Sequence, residues 1–236
     1  MGMSILDYVL VPLGLGLMVA YHVWLLYMVM RHPTKTVIGI NSINRRAWVH
    51  TMMEDPSKNG ILAVQTLRNN IMSSTLLAST AITLCSLVGM LMTQSSPSSS
   101  LTLVVNQKHF SLKSFLILSC FLVAFLMNIQ SVRFYNHASI LINARRSPLL
   151  TPEYVADVVN RASYFWSVGL RAFYFSFPLF LWIFGAVPMF LCCVGLVCML
   201  RLLDVMFHGM VAAEEADEFV GDGRGERALS SSQMPS

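Results

Sequence analysis

The stretch from residue 65 to residue 89 limits the possible folds of this chain more than any other feature. Arg68 lies near its start, and residues 69–89 carry no charge. A helix of about twenty apolar residues crosses the ~30 Å hydrocarbon core of a bilayer. In the whole chain, 55% of residues are hydrophobic and only 12% are charged, whereas charged residues are about a quarter of an ordinary soluble protein. We therefore predict an integral membrane protein.

Four apolar stretches are long enough to span a bilayer, and they predict an all-α fold, an integral membrane four-helix bundle. The predicted spans cover about residues 5–30, 71–92, 112–134 and 172–200. The last stretch is too long for one straight helix across the bilayer core, because it would extend over ~44 Å at about 1.5 Å per residue. Gly185 and Pro188 near its middle predict a kink, and a re-entrant hairpin is the alternative.

Two polar segments between the spans have the pattern of amphipathic helices. In residues 45–55, Trp48 and Met52 fall on one helical side. Thr151, followed by a proline, has the pattern of a helix start, and apolar residues at helical spacing continue from there to Arg171. We predict that both helices lie on the cytoplasmic surface of the membrane, with their apolar sides towards the lipid.

The distribution of basic residues predicts the orientation of the chain. Eleven lysines and arginines border the two predicted inner loops, and five lie in the other loop and the tail. Because cytoplasmic loops are enriched in basic residues, four spans place both termini on the non-cytoplasmic side of a plasma membrane or endomembrane. Residues 1–213 form the membrane domain in this arrangement, and the acidic tail 214–236 is predicted to be disordered.

The ionisable residues and cysteines favour neither an enzyme nor a metal protein. The five cysteines lie in apolar stretches without Cys-x-x-Cys spacing, which is typical of small buried side chains rather than of disulfides or zinc ligands. No compact catalytic motif occurs. His22 fits an inter-helix hydrogen bond better than a proton carrier. We predict no enzymatic activity, no catalytic or metal-binding residue and no cofactor.

Small residues recur at helical spacing on three of the predicted spans. These faces consist of Asn70, Ser74, Ala78, Ala81, Cys85 and Gly89 on the second span, of Cys120, Ala124, Asn128, Ser131 and Tyr135 on the third, and of Gly185, Pro188, Cys192 and Gly195 on the last. Small faces let membrane helices approach closely. The alternative interpretation is that they line a path for a solute.

Basic and amide side chains recur near the predicted inner ends of the spans. They are Arg31, Arg68, Asn69, Asn70, Asn128, Arg133, Asn136, His137 and Arg171. One interpretation is that the arginines reach the lipid headgroups and set the orientation of the helices. The other is a polar vestibule, open to the cytoplasm, that holds a lipid phosphate or another anion.

Longer motifs carry a resemblance to a known family. Among them are Asn44-Arg-Arg-Ala-Trp-Val, Leu62-Ala-Val-Gln-Thr-Leu-Arg-Asn, Ser131-Val-Arg-Phe-Tyr-Asn and Gly169-Leu-Arg-Ala-Phe-Tyr-Phe. Over about residues 5–208 the chain resembles an uncharacterised multi-pass membrane family of plants and bacteria, and it is more similar to the plant branch. That family is a domain of unknown function. The resemblance therefore implies a four-span membrane protein and no particular chemistry.

Together these features predict a non-enzymatic membrane protein that binds lipid or a partner. The expected partners are membrane lipids and either further copies of the chain or another membrane protein. Nucleic acid is not expected, because no basic face on a soluble fold is visible. The alternative function is a subunit of a small-solute or ion transporter or channel. An intramembrane enzyme would need acid and base groups that converge deep in the spans, and only His22 is there.

Overall fold

The computed structural model of the chain describes residues 5–94, 101–144 and 150–204. This part of the chain is helical apart from short connections, which confirms the predicted all-α class. The elements are α1, Ile5–Arg31; a 3-10 turn, Pro33–Lys35; α2, Val37–Glu54; α3, Pro56–Gln94; α4, Leu101–Leu141; α5, Pro152–Leu181; and α6, Ala186–Asp204. The predicted disordered tail, 214–236, lies outside the described residues.

Four of the helices are long and apolar enough to cross a membrane, which confirms the prediction of an integral membrane protein. The qualifying segments are Asp7–Arg31, Pro56–Leu91, Leu112–Leu141 and Ala186–Asp204. Large apolar side chains such as Met30, Leu76 and Leu191 are exposed on their outer faces. In a bilayer, lipid tails would cover these faces.

The last apolar run, 172–200, is not the single kinked span that we predicted. α5 ends at Leu181, a turn follows, and α6 begins at Ala186. Gly185 lies in the turn with a φ of +148°, which glycine adopts easily and other residues rarely do. The chain turns back here, as in the hairpin alternative, but the first arm is the whole of α5.

α5 packs antiparallel along α4, whereas we predicted that its first part lies on the membrane surface. About halfway along α5, Phe165 stacks on Phe134 of α4 with ring centroids 5.4 Å apart. Further along, Phe173 contacts Phe121 at 5.5 Å. At the far end, Lys113 Nζ donates a hydrogen bond of 3.0 Å to the carbonyl oxygen of Trp182. α5 is therefore a fifth helix that extends along the bundle, and its apolar side packs against protein.

α1 and α6 run parallel to each other. Gly14 packs against Cys193. Further along both helices, Tyr21 Oη donates a hydrogen bond of 2.6 Å to Asp204 Oδ2. The beginning of α1 and the end of α6 consequently lie at opposite ends of the bundle. The predicted arrangement with both termini on one side had α5 on the membrane surface, whereas here α5 extends along the bundle.

α2 packs antiparallel along the first half of α5, with contacts that run from Ser42 beside Tyr164 to His50 beside Glu153. Thr36 caps its N-terminus by accepting a hydrogen bond from the backbone N–H of Gly39, and the buried Val49 and Met52 pack in a cluster with residues of α3, α4 and α5. An ion pair between Arg46 and Asp157 connects it to α5. The amphipathic helix predicted over 45–55 is thus confirmed as part of a longer helix, and its apolar side faces other helices.

The predicted small-residue faces of α3 and α4 pack against each other. Ser74 and Ser131 hydrogen-bond across the interface at 3.2 Å, and the Cys85 thiol lies 3.8 Å from the carbonyl oxygen of Leu118. The face predicted on the last span differs from the buried one. In α6 the buried side chains include Met189 and Cys193. The predicted face assumed one helix through Gly185, whereas α6 begins only after the turn, at Ala186, and a different side of it faces the bundle.

Candidate functional site

The residues predicted to line one cytoplasmic vestibule do not come together in the structure. Six of the nine have exposed side chains. The exposed ones are Arg31, Arg68, Asn69, Arg133, Asn136 and His137. The other three, Asn70, Asn128 and Arg171, are at least partly buried and lie in three different places.

Asn128 is fully buried between α4 and α5. Its Nδ2 donates a hydrogen bond of 2.8 Å to the carbonyl oxygen of Ala124, and a Cβ atom at Gly169 would lie only 2.6 Å from that nitrogen. The Oδ1 atom is buried without a hydrogen-bond partner among the described residues. Asn128 therefore belongs to a close helix contact and not to the rim of a vestibule.

Arg171 belongs to a polar cluster that joins α1, α5 and α6. Its Nη2 lies 3.6 Å from Asp204 Oδ2, with the two side chains 20% and 15% exposed. Tyr21 donates its hydroxyl hydrogen to the same carboxylate oxygen. The other terminal nitrogen, Nη1, is buried and has no hydrogen-bond partner within the described part of the chain. One donor of a largely buried cation is thus available to a ligand.

A groove between α1 and α5 lies beside Arg171, and we call it the lateral groove. Its volume is about 650 Å³, within the range of ~300–1,000 Å³ that is usual for small-molecule sites. Its lining is mainly apolar and includes Leu25, Leu26, Val29, Met30, Val168 and Phe175. Several of these side chains are also exposed on the outer surface, Met30 to 74%. The groove therefore opens towards the surrounding lipid.

His22 lies in the lateral groove and does not make the inter-helix hydrogen bond that we predicted. Its Nδ1 is 2.7 Å from the carbonyl oxygen of Met18, one turn earlier in α1. A carbonyl oxygen only accepts, so this contact requires the proton on Nδ1 and leaves Nε2 as an acceptor. Nε2 is buried without a partner among the described residues, and the ring packs on Phe175 at 4.8 Å.

A second cavity, which we call the polar pocket, lies between α2, α3, α4 and α5. Its volume is about 290 Å³, and its lining consists of Arg45, Asn70, Ser73, Tyr135, Ser163 and Trp166. Arg45 Nε donates a hydrogen bond of 2.9 Å to Asn160 Oδ1, and burial lowers the pKa of the Arg45 guanidinium below its usual value. The indole nitrogen of Trp166 is buried without a hydrogen-bond partner in the described residues.

The polar pocket and the lateral groove are neighbours. A smaller cavity of about 200 Å³ touches Arg45, Trp166, Arg171 and Asp204, so it connects the surroundings of the two sites. Of the predicted vestibule residues, Asn70 is in the polar pocket and Arg171 is at the groove. We missed Arg45, Ser163 and Trp166 because their helical spacing assigned them to surface helices. Only the packing of α2 on α5 brings them together.

The two cavities combine hydrogen-bond donors with apolar surface. The cavities present guanidinium, indole, hydroxyl and amide donors beside apolar surface. Within the described ranges, no three or more histidine, cysteine, aspartate or glutamate side chains are grouped so that they could hold a metal ion. Donors next to an apolar groove suit a molecule with an anionic group and a hydrocarbon part.

The sequence matches one known protein family. The matching family model, described as "Protein of unknown function, DUF599", covers residues 9–208, which includes the lateral groove and the polar pocket. No curated protein and no solved structure matches the chain. The assignment to a plant branch stays a prediction. Because the family model covers most of its length, the chain belongs to the DUF599 family of proteins of unknown function.

Proposed function

We propose that this protein binds an anionic phospholipid in the lateral groove. The observation that carries the proposal is the buried, unpartnered Nη1 of Arg171 beside an apolar groove that opens towards lipid. A phosphate oxygen would satisfy this donor with a charge-assisted hydrogen bond. An acyl chain of the same lipid would lie along Leu26, Val29 and Val168.

The affinity for such a lipid would come mainly from its headgroup. An acyl chain that enters the groove only exchanges lipid neighbours for protein neighbours, so burial of apolar surface adds little. A hydrogen bond to a charged group contributes about 1.5–3 kcal/mol. Arg45 and the exposed Arg201, which lies over the Trp24 ring at 5.5 Å, add positive charge near the same end of the bundle. The site should therefore prefer anionic over zwitterionic lipids.

We propose that α5 crosses the membrane as a fifth passage, and the positions of the basic residues then support one orientation of the protein. Arg171 and Arg201 lie near the end where α1 finishes, whereas Lys113 lies at the other end beside Trp182. Since basic residues favour the cytoplasmic side, we propose that the α2 end is cytoplasmic. The groove would then take its lipid from the cytoplasmic leaflet. The beginning of α1 would lie outside, and the end of α6 inside.

Native mass spectrometry of the protein released from nanodiscs with mixed phosphatidylcholine and phosphatidylserine tests the proposal. We expect wild type to retain phosphatidylserine preferentially. Val168→Trp should fill the groove and reduce this retention roughly tenfold, whereas Leu76→Trp, on the outer face of α3, should not. The paired change Arg171→Gln with Asp204→Asn removes the guanidinium group that would donate to the lipid phosphate. Because both charges are lost together, no unpaired charge is left. Its retention of phosphatidylserine should fall by about ten- to hundredfold.

Two results would refute lipid binding at this place. One is equal retention of the two lipids by wild type. The other is unchanged retention in both Val168→Trp and the paired variant. Arg133→Gln is the matched control for the loss of an arginine, because Arg133 is exposed on α4 and does not line the groove.

The transporter or channel alternative has less support in the arrangement of the helices. A path along the small-residue faces of α3 and α4 would continue past Asn128 towards the Lys113 end. There the fully buried Ile117 and the contacting rings of Phe121 and Phe173 fill the interior. Flux of a solute into liposomes that contain the purified protein would favour the alternative over the binding function.

A further inference from the structure

We propose that the polar pocket is a separate site for a phosphate group. It shares no lining residue with the lateral groove, so the proposal does not depend on lipid binding there. Four helices line the pocket, and each contributes at least one side chain that can donate a hydrogen bond. Donors from several directions suit a tetrahedral phosphate better than a planar carboxylate.

Arg45 brings a positive charge into the polar pocket. This guanidinium is partly buried, and its hydrogen-bond acceptor is the neutral amide of Asn160. The acidic residues that lie nearby along α5 and α6 are engaged elsewhere, Asp157 with Arg46 and Asp204 with Arg171. A desolvated cation without a counter-charge is unfavourable. An anion in the pocket would supply the missing charge.

The indole N–H of Trp166 is a second potential donor to an anion, and it lies on a different helix from Arg45. This group can only donate a hydrogen bond, and a buried tryptophan N–H usually has an acceptor. Here the nitrogen is buried and unpartnered among the described residues, and Trp166 lines the pocket. The same small cavity therefore holds a cation without a counter-charge on α2 and a donor without an acceptor on α5.

The size and lining of the polar pocket also fit a phosphate group. Its volume of about 290 Å³ is at the lower end of the usual ~300–1,000 Å³ for ligand sites, which leaves room for a phosphate group with a few waters at about 30 Å³ each. No aliphatic side chain lines it, so hydrocarbon has no favourable place inside. The exposed Ser73 marks its opening. The phosphate could be a free ion or the headgroup of a lipid whose chains stay outside.

Isothermal titration of the purified full chain in phosphate-free detergent solution tests the site. Inorganic phosphate is titrated in one arm, and short-chain phosphatidic acid in the other. We expect saturable binding in at least one arm, and the arm that binds more tightly identifies the source of the phosphate. Arg45→Gln should weaken binding at least tenfold, and Trp166→Phe severalfold.

Matched variants keep the outcome decisive. Arg133→Gln removes an exposed arginine and should leave the affinity unchanged, as should Leu76→Trp, because Leu76 lies on the outer face of α3 and lines neither cavity. If Arg45→Gln does not fold, Arg45→Lys, which keeps the charge but loses the guanidinium fork, should still weaken binding several-fold, as should Trp166→Phe. Absence of saturable binding in both arms would overturn the proposal. So would affinities that these pocket variants do not change.

Discussion

At the scale of single residues, Gly169 decides how closely α4 and α5 approach. Its missing side chain makes room for the buried amide of Asn128, one of the residues that we had expected at a vestibule. The sequence places Asn128 on a small-residue face, and this face was predicted correctly as a packing face. The role of Gly169 was not predicted, because the glycine acquires it only from a residue 41 positions earlier in the chain.

Gly169→Ala should destabilise the protein. The added Cβ would meet Asn128 Nδ2 at 2.6 Å and the carbonyl oxygen of Ala124 at 3.3 Å, so the helices would have to separate, at a cost of about 1–3 kcal/mol. Gly16→Ala is the control, because nothing lies within 4 Å of a Cβ there. Thermal unfolding in detergent measures both. Equal melting temperatures for the two variants would contradict the close contact.

At the scale of helices, the turn between α5 and α6 is the main difference between prediction and structure. The sequence predicts helix throughout 172–200, and all of that run except the turn is helical. Hydropathy could not show that residues 172–181 continue a helix from Pro152. The aromatic residues of that helix and Arg171 make it less apolar than a typical span. The helical periodicity of α5 also does not show that this helix packs against α4 and α6.

Gly185→Ala should weaken the turn between α5 and α6. The space around a Cβ is sufficient there, with Pro188 Cδ at 3.7 Å, but the φ of +148° is unfavourable for alanine. The expected loss is about 1–3 kcal/mol of unfolding free energy. Gly195→Ala in α6, where nothing lies within 4 Å, should have no such effect. A Gly185→Ala variant as stable as wild type would indicate a different turn.

At the scale of the whole molecule, our proposal that α5 crosses the membrane as a fifth passage places the beginning of α1 and the end of α6 on opposite sides. Labelling with a membrane-impermeant thiol reagent tests this in a background without the natural cysteines. We expect Phe184→Cys, at the α5–α6 turn, to react in intact cells, and Leu203→Cys to react only after permeabilisation. Ser57→Cys, near the α2 end, serves as the inner control. Reaction of residue 203 in intact cells, with residue 184 protected, would favour the originally predicted four spans.

The composition and apolar runs were sufficient to predict a helical membrane protein, but the site required the arrangement of the helices. Arg171 was a predicted site residue, whereas its partner Asp204 was not, since they meet only when α6 returns beside α5 and α1. The predicted vestibule grouped residues by depth alone. Depth does not distinguish an outer surface from an interior, and most of the group lies on the outside.

The most direct test of lipid binding uses a photoactivatable phosphatidylserine in nanodiscs, with the cross-linked peptides mapped by mass spectrometry. The lateral groove predicts cross-links concentrated in residues 22–30 of α1 and 164–175 of α5, and a strong decrease of these cross-links in Val168→Trp. Cross-links spread evenly over the outer faces of α3, α4 and α6, and unchanged in Val168→Trp, would contradict a lipid site between α1 and α5.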